Sequence, residues 1–170
     1  MTPLKPDAEA LYRELLAGVR TLWRPDMVLM GIWSGGAWLV ERLAADLGDL
    51  PNMDKPAVIS SSLHRDDFSA RGMASGTDAT KIPWAVDGAH ILLVDDVLFT
   101  GRTIRAVLNE LFDFGRPASV TLAVLVDRGG RELPIEPAFA AVRLQLPAAQ
   151  KLSLVRADDG SLAFVVQDRS

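Results

Sequence analysis

Apolar positions along this chain alternate between helical spacing and short continuous runs. Leu11, Leu15, Val19 and Leu22 share one face and predict a helix over residues 7–23. Met27 to Trp33 (MVLMGIW) reads as a buried strand, and Ser34-Gly35-Gly36 as a tight turn. A second helix follows, with Leu39, Val40, Leu43 and Leu47 on its inner side. Ala57 to Leu63 and Ile91 to Val94 predict two more strands. Thr103 to Phe114 is strongly amphipathic, with Ile104, Val107, Leu108, Leu111 and Phe112 at helical spacing. Ser119 to Val126 is a continuous apolar strand, and Leu152–Arg156 and Leu162–Val166 are short strands joined at an Asp159-Gly160 turn. Residues 64–83 show neither period; they are polar and carry Gly72 and Gly76. A loop of that length in a compact domain is usually functional or disordered.

Strands alternating with helices predict an α/β fold, a mostly parallel sheet flanked by helices. No linker or internal repeat divides residues 1–170, so one domain is expected. In such sheets ligands bind at the carboxyl ends of the strands. Four distinctive segments are predicted to meet there: Ser34–Gly36, the loop after Leu63, Asp95–Thr103 and Asp127–Arg131.

The stretch ILLVDDVLFTGRT, Ile91 to Thr103, carries the most chemistry. A buried strand leads into two adjacent carboxylates, Asp95 and Asp96, then a small-residue loop, Thr100-Gly101-Arg102-Thr103, and a helix start. Backbone N–H groups at a helix N-terminus suit an anion. Carboxylates at a strand end would accept hydrogen bonds from vicinal hydroxyls, so one loop would hold both ends of a ribose 5-phosphate. The plainer alternative is a capped turn, with Thr100 or Thr103 as N-cap.

Composition narrows the classes. The net charge is −4 with pI near 5.1, which opposes a global nucleic-acid footprint. Arginines 102, 105, 116, 128, 131 and 143 cluster in the second half and leave room for a local basic face. The absence of cysteine excludes disulfides and thiolate metal sites. His64 and His90 make no zinc spacing, and His90 beside a buried strand reads as structural. No apolar run approaches the roughly 18 residues of a membrane span, and the first residues do not form a signal peptide, so a cytoplasmic protein is expected.

The thirteen-residue string resembles the phosphoribosyl-pyrophosphate (PRPP) binding motif of the type I phosphoribosyltransferases. FGRPASVTLAVLVDRG from Phe114 to Gly129, and RELPI from Arg131 to Ile135, narrow the resemblance. Together they are similar to the family that joins pyrimidine-operon regulation to uracil phosphoribosyltransferase activity. The resemblance runs from about Gly31 to the C-terminus. It implies transfer of ribose 5-phosphate from PRPP to uracil, giving UMP and pyrophosphate, with Mg2+ as cofactor and a homodimer as the assembly. RNA would be a further partner if the regulatory role is present, and a nucleotide sensor without turnover is a third reading.

Carried over residue by residue, the resemblance gives Asp95 and Asp96 the ribose hydroxyls and the catalytic role. It gives Thr100, Gly101, Arg102 and Thr103 the 5-phosphate, and backbone groups around Val126, Asp127 and Arg128 the uracil edge. An Asp127-Arg128 ion pair is the structural alternative. Phe99 stands where purine-salvage relatives have an aspartate, which weighs against a purine substrate. Arg65, Asp66 and Asp67 match the start of a lid, and Arg65, Arg71 and Lys81 are candidate cations within or beside it. Ser34, Gly35 and Gly36 correspond to the pyrophosphate loop, where the family commonly has Thr-Arg-Gly. An arginine restored at position 35 is therefore expected to strengthen pyrophosphate contact. Gly130 replaces a histidine common in the family, which weakens the regulatory expectation.

Overall fold

The computed structural model describes residues 5–61 and 80–170. Helix α1 (Ala8–Leu22) starts where the Asp7 carboxylate accepts a 3.1 Å hydrogen bond from the Ala10 N–H, satisfying one of the first-turn donors. Strand β1 (Met27–Ile32), helix α2 (Gly35–Asp46) and strand β2 (Ala57–Ile59) follow. Then come β3 (His90–Leu98), α3 (Arg102–Phe114), β4 (Ser119–Asp127) and β5 (Phe139–Arg143). Strands β6 (Gln150–Arg156) and β7 (Leu162–Asp168) form an antiparallel hairpin.

Five strands make one parallel sheet in the order β2-β1-β3-β4-β5. Side chains alternate between its two faces, as the two-residue period requires. Leu29, Leu92, Val94, Ala123 and Leu125 face a layer containing Tyr12, Leu15, Leu39, Leu43 and Phe164. Met30, Ile32, Ile91, Leu93, Leu122 and Val124 face Ile104, Val107 and Leu111 of α3. The expected α/β architecture of a parallel sheet flanked by helices is what the chain adopts. The terminal hairpin forms a separate two-stranded sheet, but its Leu152, Leu154, Leu162 and Phe164 are buried in the α1/α2 layer.

Three departures from the sequence reading matter. First, β3 does not stop at Val94. It continues through the acidic pair to Leu98, with Asp95 opposite Val124 and Val97 opposite Val126. Second, β5 (FAAVR) was not expected; it is short, half-buried and at the sheet edge. Third, residues 80–83 of the polar stretch are described, and Lys81 makes an antiparallel bridge with Val58. The rest of that stretch, with Arg65, Asp66, Asp67 and Arg71, lies outside the described residues.

Close approach of β1 to α2 sets the position of the turn between them. A β-carbon at Gly31 would strike the Gly36 carbonyl and lie 2.7 Å from Val40 Cγ2. The first obstacle is backbone, so it cannot rotate away. Gly31→Ala should therefore destabilise the fold by about 1–3 kcal/mol, the usual range for overpacking. Urea unfolding followed by circular dichroism measures this; an unchanged midpoint would show that the strand–helix contact yields freely.

Candidate active site

The carboxyl ends of β1, β3 and β4 bring three of the four predicted segments onto one rim; the loop after Leu63 lies outside the described residues. Asp95 is buried and Asp96 is half-buried. Asp95 Oδ1 accepts from the Asp96 N–H at 2.9 Å, and Asp96 Oδ1 accepts from the Val97 N–H at 2.8 Å. The β3–β4 ladder skips Asp96 at this point. Each carboxylate is thus oriented by the next peptide.

Ser34–Gly36 lies directly against this pair. A β-carbon at Gly35 would collide with Asp96 Oδ2 and sit 2.6 Å from its Cγ. A β-carbon at Gly36 would strike the Val94 carbonyl oxygen. The turn opens α2 with Ser34 at the N-cap position, though its side chain makes no capping hydrogen bond. These contacts bear on position 35: an arginine there would have to displace the Asp96 carboxylate before it could add a cation.

The Thr100–Thr103 loop opens α3. Gly101 is the N-cap at φ 93°, a left-handed conformation that glycine adopts without steric cost. The Thr100 hydroxyl accepts from the Arg102 N–H at 3.1 Å. The Thr100 carbonyl accepts from the N–H groups of Glu132 at 2.9 Å and Leu133 at 3.1 Å, docking the loop onto the following segment. Arg102 Nε donates to Glu132 Oε2 at 2.6 Å; both side chains are exposed, so this pair contributes little to stability. Asp95, the loop from Phe99 to Ile104, Glu132 and Arg169 line one cleft of about 380 Å³. Arg169 and Glu132 were not foreseen there; Arg169 is 70 positions beyond Phe99 and belongs to no motif.

Beyond β4 the structure separates two neighbours that the sequence could have paired. Asp127 and Arg128 do not form an ion pair with each other. The Asp127 carboxylate accepts from Arg131 at 2.8 and 3.0 Å, from Arg143 at 2.7 Å and from the Gly129 N–H at 3.0 Å. Arg131 also donates to the carbonyls of Phe99 at 2.9 Å and Ile135 at 2.6 Å. Arg128 is buried and donates to the carbonyls of Gln150 at 2.7 Å and Pro147 at 3.0 Å. Its guanidinium stacks 4.0 Å from the centre of the Phe99 ring, and its Nε has no partner. Val126 is fully buried between β3 and β5. The Arg128 N–H donates to Leu98 O at 3.0 Å, and Asp127 O accepts from Leu144 at 3.0 Å. Much of the Val126–Arg128 backbone is therefore already engaged within the protein.

Burial works to raise the Asp127 pKa, but the Arg131 and Gly129 hydrogen bonds and the charges of Arg131 and Arg143 outweigh it. The carboxyl is held below the usual range. For Arg128, burial and then the Arg169 charge pull the pKa below its ordinary value. Gly130 has φ 73°, and a β-carbon there would lie 3.0 Å from Phe99 Cε2, so a side chain at 130 would crowd the ring. His90, as expected, is structural: Nδ1 is 2.7 Å from the Ser119 hydroxyl.

Among the described residues, no group of three or more His, Cys, Asp or Glu side chains could hold a metal alone, and no helix is long and apolar enough to cross a membrane. Residues 5–146 match the phosphoribosyl transferase domain. The chain belongs to the phosphoribosyl transferase domain family. Within this family it is 48 % identical over 167 residues to the bifunctional protein PyrR of Ralstonia nicotianae, covering 96 % of this chain and 94 % of that one. The PyrR of Nitrosococcus oceani is 42 % identical over 169 residues, with 97 % and 94 % covered. A hypoxanthine phosphoribosyltransferase structure from Trypanosoma cruzi superposes with a TM-score of 0.60 at 16 % identity, covering 96 % of this chain and 95 % of that one. That likeness concerns the fold, and phosphoribosyl transferase domains share the parallel sheet described above.

The low Asp127 pKa gives stability a sign with pH. A carboxyl whose folded pKa lies below its unfolded value of about 3.9 stabilises the fold above that value, and the contribution fades as pH falls through the folded pKa. Asp127→Asn should cost about 3 kcal/mol at pH 7, since it removes the buried carboxylate that Arg131 and Arg143 share. It should also flatten the fall in stability between pH 5 and 2 relative to wild type. Urea midpoints measured across that range check this; parallel curves for the two proteins would remove Asp127 as the source.

Proposed function

We propose that this protein transfers the phosphoribosyl group of PRPP to uracil, giving UMP and pyrophosphate. One observation carries the reading: a buried aspartate and a helix N-terminal loop of small residues line the same cleft, with a second aspartate adjoining. Asp95 and Asp96 would accept from the ribose 2′- and 3′-hydroxyls. Their negative charge would stabilise the cationic character that develops at C1′ as pyrophosphate departs. The Thr100–Thr103 backbone would cradle the 5-phosphate at the start of α3, where first-turn N–H groups lack helical acceptors.

Ser34, Gly35 and Gly36 abut Asp96, so a leaving pyrophosphate beside the acidic pair would meet this turn. Asp95 and Asp96 are the carboxylates that would stand beside a magnesium ion, which would neutralise the leaving group. Phe99 cannot accept a proton, which favours a base that loses its own N1 proton, as uracil does. With much of the Val126–Arg128 backbone engaged, the edge proposed to meet uracil is the main chain at the end of this stretch and at Gly129 and Gly130. The relatives' shared name calls them bifunctional, which supports a second role for this protein; the sequence resemblance makes that role regulatory, with RNA as the partner. The net charge of −4 confines that role to a local basic face. A homodimer and cytoplasmic location complete the proposal.

Radiolabelled uracil with PRPP and magnesium should yield UMP, and excess hypoxanthine, guanine or orotate should compete poorly. Asp95→Asn combined with Asp96→Asn should reduce turnover by at least a hundredfold in a folded protein, the order associated with lost electrostatic stabilisation. Near-normal turnover would sink the assignment of the acidic pair. Gly35→Ala tests the contact between turn and pair. The new methyl group must push Asp96 aside, and a misplacement of about 1 Å costs on the order of a hundredfold in rate. A folded Gly35→Ala protein with wild-type kinetics would mean that Asp96 does not need its observed position.

A further inference from the structure

Resting on the reading of the cleft as a phosphoribosyl site, we infer that Arg169 is a binding residue for the substrate 5-phosphate, delivered by the terminal hairpin. The cleft it lines is the one formed by Asp95, the Phe99–Ile104 loop and Glu132. Ser34–Gly36 does not line that space, which places Arg169 on the 5-phosphate side rather than on the pyrophosphate side.

The charge arrangement calls for an anion. Arg102, in the cradle itself, already holds Glu132 at 2.6 Å. Arg169 pairs with no carboxylate among the described residues, and neither does Arg128. Both guanidiniums lie on the Phe99 ring, at 4.0 Å for Arg128 and 4.9 Å for Arg169. Arg128 is buried, with Nε unpartnered. Two cations on one ring repel, and an incoming phosphate dianion would relieve that repulsion. Arg128 is tied to backbone carbonyls beneath the ring, whereas Arg169 is exposed to the cleft.

Arg169 is held in place by its backbone. Gln150 pairs with Asp168 at the end of the hairpin, and the Arg169 N–H donates to the Ala149 carbonyl at 2.6 Å. The side chain therefore starts from a fixed point beside Phe99, within reach of the cleft.

Isothermal calorimetry of the full chain with UMP, and steady-state kinetics with PRPP and uracil, test the assignment. Arg169→Ala should weaken UMP binding about tenfold to a hundredfold, as expected for one charge-assisted hydrogen bond. It should raise KM for PRPP while leaving KM for uracil unmoved, and Arg169→Lys should recover most of the loss. Unchanged UMP affinity in Arg169→Ala, with wild type binding UMP, would overturn the inference and leave the function intact. A parallel rise in both KM values, unrescued by lysine, would overturn it in favour of packing on Phe99. Wild-type protein that binds neither UMP nor PRPP would overturn both the inference and the function.

Discussion

Asp127 sits at the carboxyl end of β4 with only 3 % of its surface exposed, and an ionised group in that position needs opposite charge within reach. Arg131 and Arg143 supply it, and each brings a different part of the chain. Arg143 ends β5, and Arg131 spans to the main chain at Phe99 and Ile135. One buried carboxylate thereby fixes the segment after β4, the edge strand and the start of the proposed phosphate loop relative to one another. A buried charge cluster of this kind is weak evidence for added stability, because desolvation offsets much of its attraction. Its value here is geometric: the loops of the rim share one anchor.

Glycine governs the other side of the rim. Gly31, Gly35 and Gly36 are each positions where a β-carbon would meet a neighbour at less than contact distance. Removing side chains there lets α2 start almost on top of β3, so its first turn touches Asp96. The lost loop arginine follows from the same packing, since position 35 has no space for it beside the present Asp96 conformation. Arg169 does not replace it, because the cleft that Arg169 lines does not include this turn.

Much of this was legible in the sequence, where local pattern and local function coincide. The helices over 7–23 and Thr103–Phe114, the β4 run and the final hairpin all carry periodicity that burial enforces. Charge hid the end of β3. Asp95 and Asp96 look like a strand terminus, yet parallel pairing with β4 carries the backbone through them to Leu98. β5 has no fully buried residue and too little apolar contrast to stand out. Asp127 and Arg128 read as an adjacent ion pair, but they are committed to different partners, one to a charge cluster and the other to carbonyls beneath Phe99. Nothing local distinguishes Arg169 from any surface arginine; only the fold brings it to Phe99.

The hairpin that carries Arg169 also closes the structure. Glu9, near the start of α1, accepts a 2.8 Å hydrogen bond from the Leu162 N–H across 153 positions of sequence, while Phe164 is fully buried in the layer beside α1 and α2. β6 starts only seven positions after β5 ends, so on a ribosome the edge strand and the hairpin emerge almost together, and the layer beside α1 and α2 is complete only when Phe164 docks. Until the hairpin docks, the nascent chain would expose an unfinished greasy surface, and chaperone capture or self-association would compete with closure. Completion of the fold and delivery of Arg169 to the cleft would then be the same late event, so a chain interrupted before the hairpin would lack both.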